Sequence, residues 1–188
     1  MKKIVFLLIS AFAINASMAQ MDNKMDSKMK PVEVGGAPMY ASKNIIENAV
    51  NSKDHTTLVA AVKAAGLVAT LQGAGPFTVF APTNDAFDKL PKGTVETLVK
   101  PENKATLTKI LTYHVVAGNW DAKAIAAKIK EGNGSAELKT VEGGTLKAWM
   151  KGGKLVLTDS KGGNATVTIK NVYQSNGVIH VIDAVLMP

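Results

Sequence analysis

A chain of 188 residues, 46% hydrophobic, suits one domain with its own core. It has no cysteine, which excludes disulfides, thiolate metal sites, a cysteine nucleophile and a lipid-modified cysteine. The formal charge of +7 comes from lysine alone; without arginine's planar fork, and with the lysines scattered, the composition argues against nucleic acid and for a solvated basic surface, with loose attraction to acidic polysaccharide as the charge-driven alternative.

The chain opens with Lys2 and Lys3, an apolar run from Ile4 to Ile14, and "NASMAQ", where Ser17 and Ala19 take the small positions of a cleavage site. This pattern predicts a signal peptide over residues 1–19, cut between Ala19 and Gln20. The apolar run is short of the ~20 residues of a spanning helix, and no later segment is apolar enough, so no stable membrane anchor is expected. The predicted product is exported, to the periplasm or beyond the cell, and losing Lys2 and Lys3 lowers +7 to +5. Residues 20–40 read as a flexible Met/Lys-rich linker, with Pro31, Pro38 and Gly35-Gly36. Met21, Met25 and Met29 stand four apart, which would align three thioethers on a helix face. Thioethers suit Cu(I), but no histidine accompanies them, so copper binding stays open beside the tether reading.

The folded part is expected from Ala41. "SKNIIENAV" predicts a helix with Ser42 as N-cap. In "TTLVAAVKAAG", Leu58, Ala61, Val62 and Ala65 keep helical spacing, and Gly66 ends the run. "FTVFAP" is a short strand stopped at Pro82, and "TNDAFDKL" a short helix that Thr83 caps. "PENKATLTKILTYH" is helical from Pro101; Leu107, Ile110, Leu111 and His114 form its apolar stripe where the helix gives way to "HVVAG". "WDAKAIAAKIKEG" is a helix with Asp121 as N-cap and a Trp120–Ile125 hydrophobic staple.

Beyond Gly134 the pattern turns to strands. "SAELKTV", "TLKAWM", "KLVLTD", "ATVTIKNV" and "GVIHVIDAVLM" are separated by Gly143-Gly144, Gly152-Gly153, Gly162-Gly163 and Asn176-Gly177. Such pairs between short runs predict hairpins. Helices early and strands late argue for an α+β fold with a largely antiparallel sheet. The last strand is apolar on both faces and is placed at the centre.

"FTVFAPTNDAF" (Phe77 to Phe87), "LTYHVVAG" (Leu111 to Gly118) and "SNGVIHVIDAVLMP" (Ser175 to Pro188), in that order, resemble a fasciclin-like adhesion domain over residues 41–187. The resemblance implies a single domain, a wedge-like antiparallel β-sandwich with flanking helices in the N-terminal half. It implies a bacterial secreted, non-enzymatic module for adhesion or matrix contact. It also implies binding residues: Tyr113 and His114, flanked by Leu111, Val115 and Val116, and the pair Asn171-Val172. Animal members carry an aspartate where Asn171 stands, and it is linked to integrin binding. A neutral amide does not supply the carboxylate an integrin metal site needs, so that animal-type recognition is not expected.

No G-x-S-x-G or H-E-x-x-H motif occurs, and His55, His114 and His180 are isolated. No catalytic residue, metal or cofactor is therefore expected. Thr83, His114, His180 and Asp183 lie in or beside the three motifs and are expected to form a structural polar network, with His114 as a buried latch bonded to the first or last motif. The expected function is an exported binding module that contacts a surface protein or polysaccharide. The alternative is a periplasmic small-ligand or polysaccharide-binding protein, which needs a concave apolar pocket. A hydrolase would need a nucleophile and base within hydrogen-bond reach.

Overall fold

Every residue of "GVIHVI" is buried, and this strand organises the fold. The computed structural model describes residues 30–188. The predicted signal peptide and the Met21/Met25/Met29 repeat lie outside the described residues. No helix among the described residues is long and apolar enough to cross a membrane.

The expected linker ends earlier than its composition suggested. Strands β1 (Val32–Val34) and β2 (Ala37–Met39) pair as an antiparallel hairpin. Val34 and Met39 are buried in the core that holds Ile45 and Ile46. Gly35 and Gly36 turn the chain at φ 60° and 72°, where glycine carries no Cβ penalty. A Cβ on Gly35 would also stand 2.4 Å from Ser52 Oγ. The low apolar content of the stretch hid a hairpin that needs only two inward side chains.

Among the described residues there are seven short α-helices, five of them at local signals. Helix α1 (Ile45–Ala49) is capped by Asn44, not Ser42: its side chain accepts from the Ile46 and Glu47 amides, and Glu47 accepts from the Asn44 amide at 2.8 Å. This reciprocal box satisfies more of the helix start than Ser42 could from outside it. Helix α2 (Thr56–Ala65) ends at Gly66 with φ 74°. Helices α3 (Val68–Gln72) and α5 (Thr94–Leu98) were not predicted; five residues are too few to show periodicity. Thr83 caps α4 (Asn84–Asp88), and Asp121 caps α7 (Ala122–Glu131). The Pro101 segment starts as a 3-10 turn and continues as α6 (Lys104–Tyr113).

The larger sheet comprises β3 (Phe77–Pro82), β4 (Val115–Ala117), β5 (Ser135–Lys139), β6 (Thr145–Lys151), β7 (Lys154–Thr158), β8 (Asn164–Gln174) and β9 (Gly177–Ile182), in the order β4-β3-β9-β8-β7-β6-β5. All neighbours are antiparallel except β3 and β9, which run parallel from Phe77↔Gly177 to Pro82↔Ile182. Register shifts between Val167, Ile169 and Val172 kink β8, which pairs with β7 at one end and β9 along the rest. The ladder therefore curls. Its two ends meet at the Val116↔Thr140 bridge, and the Val141 amide donates to Val115 O at 2.7 Å. That contact covers edges that would otherwise present unpaired backbone.

Alternation along the strands splits the interior in two. Val79, Ala81, Ile179 and Val181 face α1, α2, α3 and α6 in one core. Phe80 and Ile182 face Leu146, Leu157, Ala165 and Ile125 in the other, inside the curled sheet. The architecture is α+β, with the two halves of the sheet packed around the second core.

Asn176 ties the helices to this sheet. Its Oδ1 accepts from the Ile45 amide at 3.1 Å, and its Nδ2 donates to Leu71 O and Gly73 O, both at 2.8 Å. Asn176→Ala leaves three backbone groups without partners and should lower the unfolding free energy by about 3 kcal/mol in a urea titration. A loss under about 1 kcal/mol would show that water replaces all three bonds.

Candidate functional site

The end of α6 delivers His114 into the interior, where it is 3% exposed. The Leu186 amide donates to its Nε2 at 3.0 Å. An amide N–H can only donate, so the ring proton sits on Nδ1, which donates to Ile110 O at 2.8 Å. The His114 carbonyl accepts from the Phe80 amide at 2.9 Å. One residue thus joins α6, β3 and the C-terminal segment. Burial holds its pKa down at about 4, the largest effect on it.

Tyr113 beside it is 1% exposed; its hydroxyl donates to Thr145 O at 2.8 Å and accepts from the Ser160 amide at 3.1 Å. Burial raises its pKa.

His180 follows the same logic from the sheet centre. The Asn171 amide donates to Nδ1 at 3.4 Å, which leaves Nε2–H to donate to Trp120 O at 2.8 Å. The ring stacks on Phe80 with centroids 5.6 Å apart, and burial lowers its pKa. Asn171 sits at φ 61°, a conformation asparagine tolerates, and its Oδ1 accepts from the Ala122 amide at 2.7 Å. The amide that replaces the aspartate thus caps the first turn of α7. Val172 is fully buried.

The expected binding residues do not form a surface. Tyr113, His114 and Val172 are sealed in the cores, because the apolar stripes that flank them run inward. Asn171 is spent on α7 and His180, not on a shared patch with Tyr113.

The expected polar network is four separate fasteners. Thr83 Oγ1 accepts from Ala86 N, and Asp183 Oδ1 accepts from Thr166 N at 2.7 Å. His114 and His180 hold the contacts given above. Among the described residues, no hydrogen bond joins any two of the four. Each side chain is satisfied by nearby backbone instead.

Two features had no signal in the sequence. His55 is 2% exposed, with Nδ1 2.9 Å from Ser52 Oγ, while its Nε2 has no hydrogen-bond partner. The pair is not a hydrolytic dyad: both residues are buried and no carboxylate orients the far nitrogen. Among the described residues, no three His, Asp or Glu side chains stand close enough to hold a metal.

The second feature is an open groove of about 550 Å³ between the start of α7 and the β6–β7 hairpin, extending to β8. Lys123, Lys154 and Lys170 line it, over Met150, Leu155 and Val167, with no carboxylate in the lining. All three lysines are exposed. The single ion pair among the described residues, Lys109–Glu142, lies elsewhere. Asp121, next to the groove's Ala122, is engaged in capping α7 through Ala124 N at 2.7 Å. These lysines come from three elements, α7, β7 and β8, which the fold gathers at one groove.

Residues 53–188 match the family described as Fasciclin domain. The chain is 45% identical over 185 residues to Protein sll1483 of Synechocystis, across 98% of this chain and 95% of that protein. It is 38% identical over 145 residues to Immunogenic protein MPB70 of Mycobacterium bovis, across 74% of this chain and 66% of that one. Human periostin matches at 32% over 135 residues, 72% of this chain but only 15% of periostin. Among solved structures, a FAS1 domain pair from the insect cell adhesion molecule fasciclin I shares the fold, with TM-score 0.69 and 19% identity over 78% of this chain and 51% of that one.

His114 sets a pH test. Its folded pKa, about 4, lies below the ordinary histidine value of 6.5, so an unfolded chain takes up a proton that the folded one refuses. The stability is complete above pH 6.5 and is lost as pH falls toward 4, by about 3 kcal/mol from this ring. His114→Gln should flatten the decline in urea stability between pH 7 and 4.5; an unchanged slope would reject this assignment.

Proposed function

The chain belongs to the Fasciclin domain family, and on that premise we propose that it is an exported, non-enzymatic adhesion module that holds anionic polysaccharide in the Lys123/Lys154/Lys170 groove. The groove carries this reading. Three ammonium groups with no carboxylate partner among the described residues surround an apolar floor of Met150, Leu155 and Val167. A carboxylated sugar chain presents that combination, with charges for the lysines and ring faces for the floor. Lysine suits the task because its point charge on a flexible stem follows an irregular polymer without demanding the fixed geometry of arginine. The solved structure that shares this fold comes from an insect cell adhesion molecule, which supports an adhesion role. The leader read at residues 1–19 supports export.

The non-enzymatic reading rests on His114 and His180. His114 and His180 have both ring nitrogens engaged with backbone, and burial keeps both rings neutral. Neither is free to take a proton from a substrate.

Retention on immobilised polygalacturonate tests the groove. K123E/K154E/K170E should weaken binding between about threefold and a hundredfold, the sum of three exposed ion pairs of about 0.2–1 kcal/mol each. K92E/K100E/K104E makes the same change in net charge on the helical side and should bind nearly as well as the parent. Equal losses from both variants would reduce the effect to diffuse charge, and retention by the groove variant would point to a different face.

A further inference from the structure

Trp120 is held at three atoms, yet its side chain is only half-buried. Its amide donates to Thr78 Oγ1 at 2.8 Å, its carbonyl accepts from His180 Nε2 at 2.8 Å, and its indole Nε1 donates to Ala117 O at 3.0 Å. Part of the ring packs against the second core. The ring also lines an open groove of about 330 Å³ between β4, β5 and α7. Lys128, Glu137 and Lys139 lie around this groove, and none of the three is in an ion pair among the described residues. The Lys128 ammonium stands over the indole, 5.4 Å from its centroid. What lies over the ring there is a half-exposed, flexible side chain, not packed core. Such a contact is weak at an exposed site, so a ligand can displace it.

We propose that this groove binds a neutral pyranose with equatorial hydroxyls, as in a β-linked glucan. Its C–H face stacks on the Trp120 indole, and its hydroxyls donate to Glu137 and accept from Lys128 and Lys139. This goes beyond the adhesion reading and needs neither the lysine groove nor its charge. Three observations select the ligand class. The indole offers a flat apolar face within a polar surround, and a pyranose with equatorial hydroxyls has the same make-up, an apolar ring face inside a polar rim. The lining mixes one carboxylate with two ammonium groups. A hydroxyl uses both because it donates and accepts, whereas an anion meets Glu137 and a cation meets the two lysines. The three hydrogen bonds fix the indole before any ligand arrives, which cuts the ordering cost of binding. The two grooves are also separate. Lys128 lies about 200° round α7 from Ala126, which lines the lysine groove, so the helix stands between them.

The test is an NMR titration of the full chain with cellotetraose, read at the indole N–H peaks of Trp120 and Trp149, which Trp149→Phe assigns. The expected result is a saturable shift confined to the Trp120 peak. K123E/K154E/K170E and a rise in salt should leave it unchanged, because no charge is neutralised. Glu137→Leu, at an exposed strand position, should weaken binding about threefold to tenfold, reflecting one lost hydrogen bond. Trp120→Ala should abolish binding; if that variant does not fold, the Glu137 variant and the parent's Trp120 peak decide. Absence of saturation would overturn the site, as would equal shifts at Trp120 and Trp149. Tighter, salt-sensitive binding of tetragalacturonate at the Trp120 peak would overturn the neutral-sugar assignment.

Discussion

The parallel pairing of β3 with β9 is the constraint on which the other contacts depend. Phe77 stands opposite Gly177 across the two strands, so the chain between them must leave the sheet and return to it. Four α-helices, a 3-10 turn and five strands are built in that interval, and β8 delivers the chain to β9 through a tight turn. Gly177 makes the close approach possible: a Cβ there would lie 1.9 Å from Phe77 O. Once β9 is enclosed by β3 and β8, with a core on each face, every polar group near it needs a partner inside the protein.

That requirement explains the polar residues that look chemical in the sequence. His114 and His180 each accept from one backbone amide and donate to one carbonyl, which fixes the tautomer and favours the neutral ring. Asn176 meets three backbone groups, and Asn48 pairs with the buried Gln174. All are spent on joining helices to sheet. A partner therefore has to be met by side chains the core does not use, and the lysine groove is such a place. His55 departs from the pattern because one of its nitrogens is left over.

Much of the fold was legible where the signal was local. Thr83, Asp121 and Gly66 mark helix ends through bonds or torsions confined to a few residues, and the glycine pairs mark turns the same way. The placement of "GVIHVI" at the centre followed from its two apolar faces. Errors arose where two local signals competed or where packing supplied the stability. Asn44 displaced Ser42 because Glu47 completes its box. The β1–β2 hairpin holds because Val34 and Met39 reach the core, a contact that Pro38 and the low apolar content did not reveal. For the candidate site, the buried fate of His114 could be read from its place on the α6 stripe, but its bond to the distant Leu186 amide could not.

The sequence by itself determined the α+β class, most helix ends, the central strand and the family, because periodicity, capping chemistry and ordered motifs are properties of neighbouring residues. Tertiary structure alone decided which side chains remain available to a partner. It buried Tyr113, His114 and Val172, turned Asn171 toward α7, and brought Lys123, Lys154 and Lys170 to one groove. The physical reason is that exposure depends on what packs against a residue, and here those neighbours come from elements far away along the chain.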